Sequence, residues 1–252
     1  MNKIAFITGA TSGFGKACAE KFAAHGYDLI INGRREDRLN TIKDDLEKRF
    51  NTAVITSCFD VRNRDEVFNA INTIPADWQH IDVLFNNAGL ALGRDYFDEG
   101  NLDDWDTMID TNLKGLIYIT KAALPLLLKS SQPHIINMGS VAGKDVYEKG
   151  NVYCASKAAV NTLSHALRID LLRHNIKVTA IHPGAAETEF SMVRFKGDEE
   201  TANKIYDGLN PLSAEDVADV VYYCTSLPAH VCINDLVISC TRQADGIYFN
   251  RK

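Results

Sequence analysis

No apolar run in this 252-residue chain approaches the roughly 20 residues that a helix needs to cross a bilayer. The opening stretch, Lys3-Ile4-Ala5-Phe6-Ile7-Thr8, runs straight into a glycine turn and so reads as a strand, not a targeting segment. An excess of positive charge is missing too. The 27 Lys and Arg stand against 33 Asp and Glu, a formal net charge of -6, so no global field draws in nucleic acid or an anionic membrane surface. The six cysteines, at 18, 58, 154, 224, 232 and 240, form no CxxC pair, and the seven histidines no HxxxH or Cys/His cluster. That removes a disulfide framework and any recognisable metal centre; the expectation is small buried thiols in a reducing, cytoplasmic setting and no metal. No Pro/Gly/Ser-rich linker and no internal repeat divides the chain, so residues 1–252 are read as a single domain.

What the chain does contain is alternation. Short apolar runs at 3–8, 28–32, 54–58, 81–85, 134–138 and 177–181 read as strands. Between them lie helical patterns: one ending near His25-Gly26, then 36–50 with Leu39, Ile42, Leu46 and Phe50 as its buried stripe, then 63–73, 103–129 and 152–173. Strand and helix in turn, at this spacing, predict βαβ units and a parallel sheet covered on both faces.

Two stretches carry chemistry. Gly9-x-x-x-Gly13-x-Gly15 joins the first strand to the first helix, where glycines let a diphosphate approach backbone N–H groups at a helix N-terminus. Thr11 or Ser12 could cap that helix and supply a hydroxyl. Further on, Tyr153 and Lys157 stand four apart on a helix, so phenol and ammonium can converge. A cation beside the phenol is expected to lower its pKa and make Tyr153 a general acid/base. Alone, that spacing is equally that of a solvated helix face.

Thr8-Gly9-x-x-x-Gly13-x-Gly15, Asn86-Asn87-Ala88-Gly89, a Ser before Tyr153-x-x-x-Lys157, and Pro183-Gly184 occur in order. This ordered set resembles the short-chain dehydrogenase/reductase family over nearly the whole chain. The resemblance implies an α/β, single-domain Rossmann-type doubly wound parallel sheet of strand order 3-2-1-4-5-6-7, with a small substrate lid at about 187–210 and a tail over 239–252. It implies that Tyr153 protonates a carbonyl oxygen as hydride arrives, that Lys157 lowers its pKa and holds the nicotinamide ribose, and that Ser140 hydrogen-bonds the same oxygen. Asn112 resembles the Asn that kinks its helix and anchors a proton-relay water; buried polar packing is its plainer reading, and a turn or cap that of Ser140. Gly9, Thr11, Ser12, Gly13, Phe14 and Gly15, with Asn86, Asn87, Ala88 and Gly89, would line the cofactor; Asp60 and Val61 would meet the adenine; Pro183, Gly184 and Thr188 would meet the nicotinamide amide.

At the end of the second strand stands Asn32-Gly33-Arg34-Arg35, with no acid for a ribose 2′-OH. Guanidinium groups suit a 2′-phosphate, and cations oppose the dipole at a helix N-terminus, so NADP(H) is the expected cofactor. The wording after Thr188 resembles the branch of NADP-dependent 3-hydroxy acid dehydrogenases and sulfoacetaldehyde reductases. Arg194 is the expected clamp for a carboxylate or sulfonate, with Tyr147 as a second donor. Sulfoacetaldehyde reduced to isethionate is the preferred reading, because Asp145–Lys149 is polar and Tyr147 suits a tetrahedral anion. A 3-hydroxy acid or malonate semialdehyde (also serine or threonine) is the alternative, and a non-catalytic NADP sensor the rival of another class. The partner is then a small anionic aldehyde or hydroxy acid. The aromatic tail Ile247–Lys252 suggests a covered surface; with the resemblance, it implies a homotetramer in which Tyr248 or Arg251 reaches a neighbouring pocket.

Overall fold

A computed structural model describes residues 2–251 of the chain. Seven strands, β1 (Ile4–Ile7), β2 (Asp28–Gly33), β3 (Val54–Cys58), β4 (Val83–Asn86), β5 (His134–Met138), β6 (Lys177–Pro183) and β7 (Asp235–Ile238), form one sheet in the order β3-β2-β1-β4-β5-β6-β7. Every pairing is parallel. Both faces of such a sheet must be covered, and the central strands show it. In β1, Ala5 and Ile7 point into one core with α1 (Gly13–Ala24), α2 (Glu36–Phe50) and α9 (Ala214–Ser226). Ile4 and Phe6 point into the other, with α3 (Arg64–Asn72), α5 (Leu116–Leu127) and part of α6 (Asn151–Asp170). Each fully buried Phe, Ile or Leu there contributes about 1.5–3 kcal/mol, which is what holds seven strand ends in register for the site above them.

The continuous helix expected over 103–129 is instead three pieces. α4 (Leu102–Ile109) gives way to a π-helical turn at Asp110–Gly115 before α5 begins. The side chain of Asn112, inside that turn, is bonded to the backbone of Leu90 at both its ends: Nδ2 donates to Leu90 O (2.9 Å) and Oδ1 accepts from Leu90 N (2.8 Å). An extra residue in the turn is how a helix aims a side chain out of its own register. After β6, α7 (Glu189–Arg194) and α8 (Glu199–Lys204) form a small helical segment over the strand ends. The tail is described as far as Arg251, and Lys252 lies outside the described residues.

Candidate active site

The site lies at the carboxyl ends of the strands, where the order reverses between β1 and β4, the place where open α/β sheets bind ligands. The glycine turn fits a dinucleotide's phosphates. Gly9 (φ +65°) and Gly13 (φ +51°) both take the left-handed conformation. A Cβ on Gly13 would stand 3.4 Å from Thr188, filling the space between turn and lid. Thr8 Oγ1 accepts from the backbone N–H groups of Asn87 and Ala88 (both 3.0 Å), and Asn87 Nδ2 donates to Thr8 O (2.9 Å) and Gly9 O (3.1 Å). Asn87 therefore spends its amide nitrogen on the turn, while Asn86 donates to Thr120 and Asn137 (2.9 Å each) beneath it.

Neither Thr11 nor Ser12 caps α1 with its side chain. The reason is Arg35, whose Nη2 donates to Thr11 Oγ1 (2.7 Å) and Ser12 Oγ (3.2 Å). Arg34 turns the other way, to Asp60 at 3.7 Å, and Asp60 is also held by the fork of Arg62. Both arginines thus stand where β2 meets α2, beside the glycine turn. Val61 is buried, and Phe14 packs partly against the core beside α1.

On the catalytic side, α6 brings Tyr153 and Lys157 into the interior, 8% and 5% exposed. Ser140, the cap of the 3-10 turn Val141–Gly143 at the end of β5, accepts from Ala142 N (3.1 Å). Its hydroxyl also favours the Tyr153 phenolate. Burial nevertheless pushes the Tyr153 pKa above its ordinary 10. Lys157 Nζ donates to Met138 O at 2.9 Å. The cation that faces Tyr153 is Arg194, whose guanidinium lies 5.5 Å from the ring centre. Burial pulls Lys157 itself down to about 8. Asn112 donates to Ser156 Oγ (3.0 Å) as well as to Leu90. A Cβ on Gly89 would stand 3.2 Å from Asn112 Oδ1 and 3.4 Å from Lys157 Nζ, so these two polar groups flank one backbone position.

Arg194 is buried under the lid. Its Nε donates to Gly93 O (3.3 Å) and its Nη1 to Tyr147 Oη (3.0 Å). Gly93 N returns a bond to Arg194 O (2.9 Å), and Lys196 pairs with Asp104 at 2.8 Å. The cavity between Arg194, Tyr153, Trp105 and Met108 measures about 10 Å³, room for about one water. The carboxylates of Asp95 and Asp104 border it. Pro183 ends β6 and Gly184 follows it, and Thr188 caps α7 by accepting from Phe190 N (3.2 Å).

Several site residues were not legible in sequence. Gln243, buried in the tail, accepts from Ala185 N (2.7 Å) and so holds the loop after Pro183-Gly184 from 58 residues away. Phe190 lies 5.8 Å from Tyr153, ring to ring. Glu189 pairs with Arg35 (3.1 Å) and Arg38 (2.7 Å); the one available signal was the cluster of arginines at 34, 35 and 38 where α2 begins. Within its own chain, Arg251 is held near the end of the helical segment after β6. Its guanidinium donates to Ile205 O (3.0 Å) and Asp207 O (2.6 Å) of its own chain, next to α8, because these carbonyls end a helical segment and attract a cation. Tyr248 remains 70% exposed.

The profile described as short chain dehydrogenase matches residues 3–199. An NADP-dependent 3-hydroxy acid dehydrogenase of Salmonella typhi is 46% identical over 250 residues, covering 98% of this chain and 99% of that protein. Sulfoacetaldehyde reductase 2 of Chromohalobacter salexigens is 45% identical over 245 residues, covering 97% and 96%. Among solved structures, the closed form of a serine dehydrogenase complexed with NADP+ matches with a TM-score of 0.91 at 44% identity, covering 99% of this chain and all of that one.

Proposed function

The chain belongs to the short chain dehydrogenase family, and from that premise we propose that it is an NADP(H)-dependent oxidoreductase interconverting a short 3-hydroxy acid and its carbonyl form. One observation carries the reading: Ser140, Tyr153 and Lys157 converge beside a buried guanidinium, Arg194, 5.5 Å from the Tyr153 ring centre.

When bound, the nicotinamide dinucleotide supplies or accepts the hydride. Everything else falls to side chains. Tyr153 carries its proton at neutral pH and can give it to a carbonyl oxygen, a transfer that burial opposes and that Ser140 and Arg194 favour by stabilising the phenolate. The Ser140 hydroxyl, against the phenol, donates to the same oxygen and stabilises the charge that develops there. Lys157, buried between Met138 O and the Gly89 turn, is poised to hold a ribose hydroxyl. Arg194 uses Nε and Nη1 on the protein, and its Nη2 has no protein partner among the described residues. Tyr147 Oη accepts from Arg194, which leaves its own proton for an anionic oxygen. These two donors are suited to a planar carboxylate.

Sulfoacetaldehyde, the reading preferred from sequence, is supported less well than the 3-hydroxy acid given there as the alternative. Asp104 is already paired with Lys196 (2.8 Å), and the carboxylate reading is supported by the Arg194 and Tyr147 donors and by the likeness to a serine dehydrogenase. Relatives of comparable identity carry both names. The test is kcat/KM for serine and 3-hydroxypropionate oxidation with NADP+, set beside sulfoacetaldehyde and malonate semialdehyde reduction with NADPH. An excess for the carboxylates is expected; an excess for the sulfonate overturns the choice of acid.

A further inference from the structure

Resting on the NADP(H) reading, we propose that Glu189 competes with the cofactor's 2′-phosphate for Arg35 and Arg38, and thereby sets how tightly the phosphorylated dinucleotide is held relative to NAD(H). The geometry is that of an anion already seated where a phosphate is needed. Arg35 lies over the glycine turn with Nε and Nη2 on Thr11 Oγ1 (3.2 and 2.7 Å), and its Nη1 donates to Glu189 Oε2 (3.1 Å). Arg38 Nη1 grips the same carboxylate at 2.7 and 3.1 Å. Two guanidinium groups, one from the N-cap of α2 and one from its first turn, thus converge on one carboxylate of α7, 151 residues or more away in sequence. Burial alone would raise the Glu189 pKa, but the bonds from Arg38 and Arg35 outweigh it, so the carboxylate stays ionised.

A 2′-phosphate brings more charge and three acceptor oxygens to these donors and to the Thr11 and Ser12 hydroxyls. The resident pairs are half-exposed, with side chains 40–47% accessible. Such pairs are worth about 0–1 kcal/mol each, so a phosphate displaces them readily but not freely. NAD(H), lacking the phosphate, leaves Glu189 where it is. The position of Glu189 adds a mechanical consequence. It is the first residue of α7, and its neighbour Thr188 rests on Gly13. Displacing it loosens the lid at its cofactor end, while Lys196–Asp104 and Arg194–Gly93 hold the substrate end.

The experiment is calorimetric titration of 2′,5′-ADP and 5′-AMP into the wild type and Glu189→Gln. The variant is expected to bind 2′,5′-ADP about three- to tenfold tighter, the gain from removing two half-exposed pairs, with 5′-AMP unchanged. An unchanged or weaker affinity for 2′,5′-ADP in the variant overturns the proposal. If 2′,5′-ADP binds the wild type no better than 5′-AMP does, the NADP(H) reading fails instead, a result that the wild type alone reveals.

Discussion

Lys157 gives the sharpest physical prediction because its burial has a sign and a size. Its ammonium is enclosed, with Met138 O as its hydrogen-bond partner and a pKa drawn down to about 8 from an ordinary 10.5. In the unfolded chain the group returns to the ordinary value. Below pH 8 both states are protonated and the folded protein bears the full cost of the buried charge. Between about pH 8 and 10.5 the unfolded state holds more protons, so stability rises with pH across that window. At about 1.4 kcal/mol per pH unit, the full effect is up to about 3 kcal/mol. Lys157→Met removes the titration while keeping an unbranched side chain of similar length. Urea unfolding of both proteins without cofactor, at steps from pH 7 to pH 10.5, isolates this group because every other titration is shared. The wild type should gain on the variant by up to about 3 kcal/mol as pH rises, with most of the gain above pH 8. Two parallel stability curves would refute the claim that Lys157 is buried as a cation.

Other consequences follow from the lid and the clamp. Arg194→Lys keeps the charge but loses the fork that reaches both Gly93 O and Tyr147 Oη; KM for the acid substrate should rise about tenfold or more, the worth of one charge-assisted bond, while the NADPH Kd measured by fluorescence stays put. Arg251→Ala frees the carbonyls of Ile205 and Asp207, so the lid should be cut faster by trypsin and KM should rise severalfold; equal digestion rates would show that the tail does not brace the lid.

Much of the fold was legible because its signals are local. A buried parallel strand such as β2 is a continuous apolar run, and α2 declares itself by Leu39, Ile42 and Leu46 on one face. The glycine turn and the Tyr153–Lys157 pair are likewise short-range patterns. The π-helical turn at Asp110–Gly115 was anticipated only through the resemblance of Asn112 to a helix-kinking Asn; periodicity alone misses it, because its cause, the bonding of Asn112 to Leu90, spans 22 residues. Side-chain reach was also hidden: the i,i+4 spacing brings Lys157 beside Tyr153 but does not say that its ammonium travels on to Met138 O. The same holds for Gln243 under the Ala185 loop and for Glu189 on Arg35, contacts made only once the sheet has gathered its strand ends.

The central claim is that Tyr153 is the proton donor of an NADP(H)-dependent reaction, and Tyr153→Phe tests it most directly. NADPH affinity and steady-state turnover with malonate semialdehyde should be measured on the same preparation. NADPH binding within about twofold of wild type, with turnover reduced about 10²–10⁴-fold, is the predicted result for loss of a general acid. Turnover retained within about tenfold would mean that the phenol is not the acid, and absence of turnover in the wild type with every short anionic substrate would favour a dinucleotide-binding sensor on the same fold.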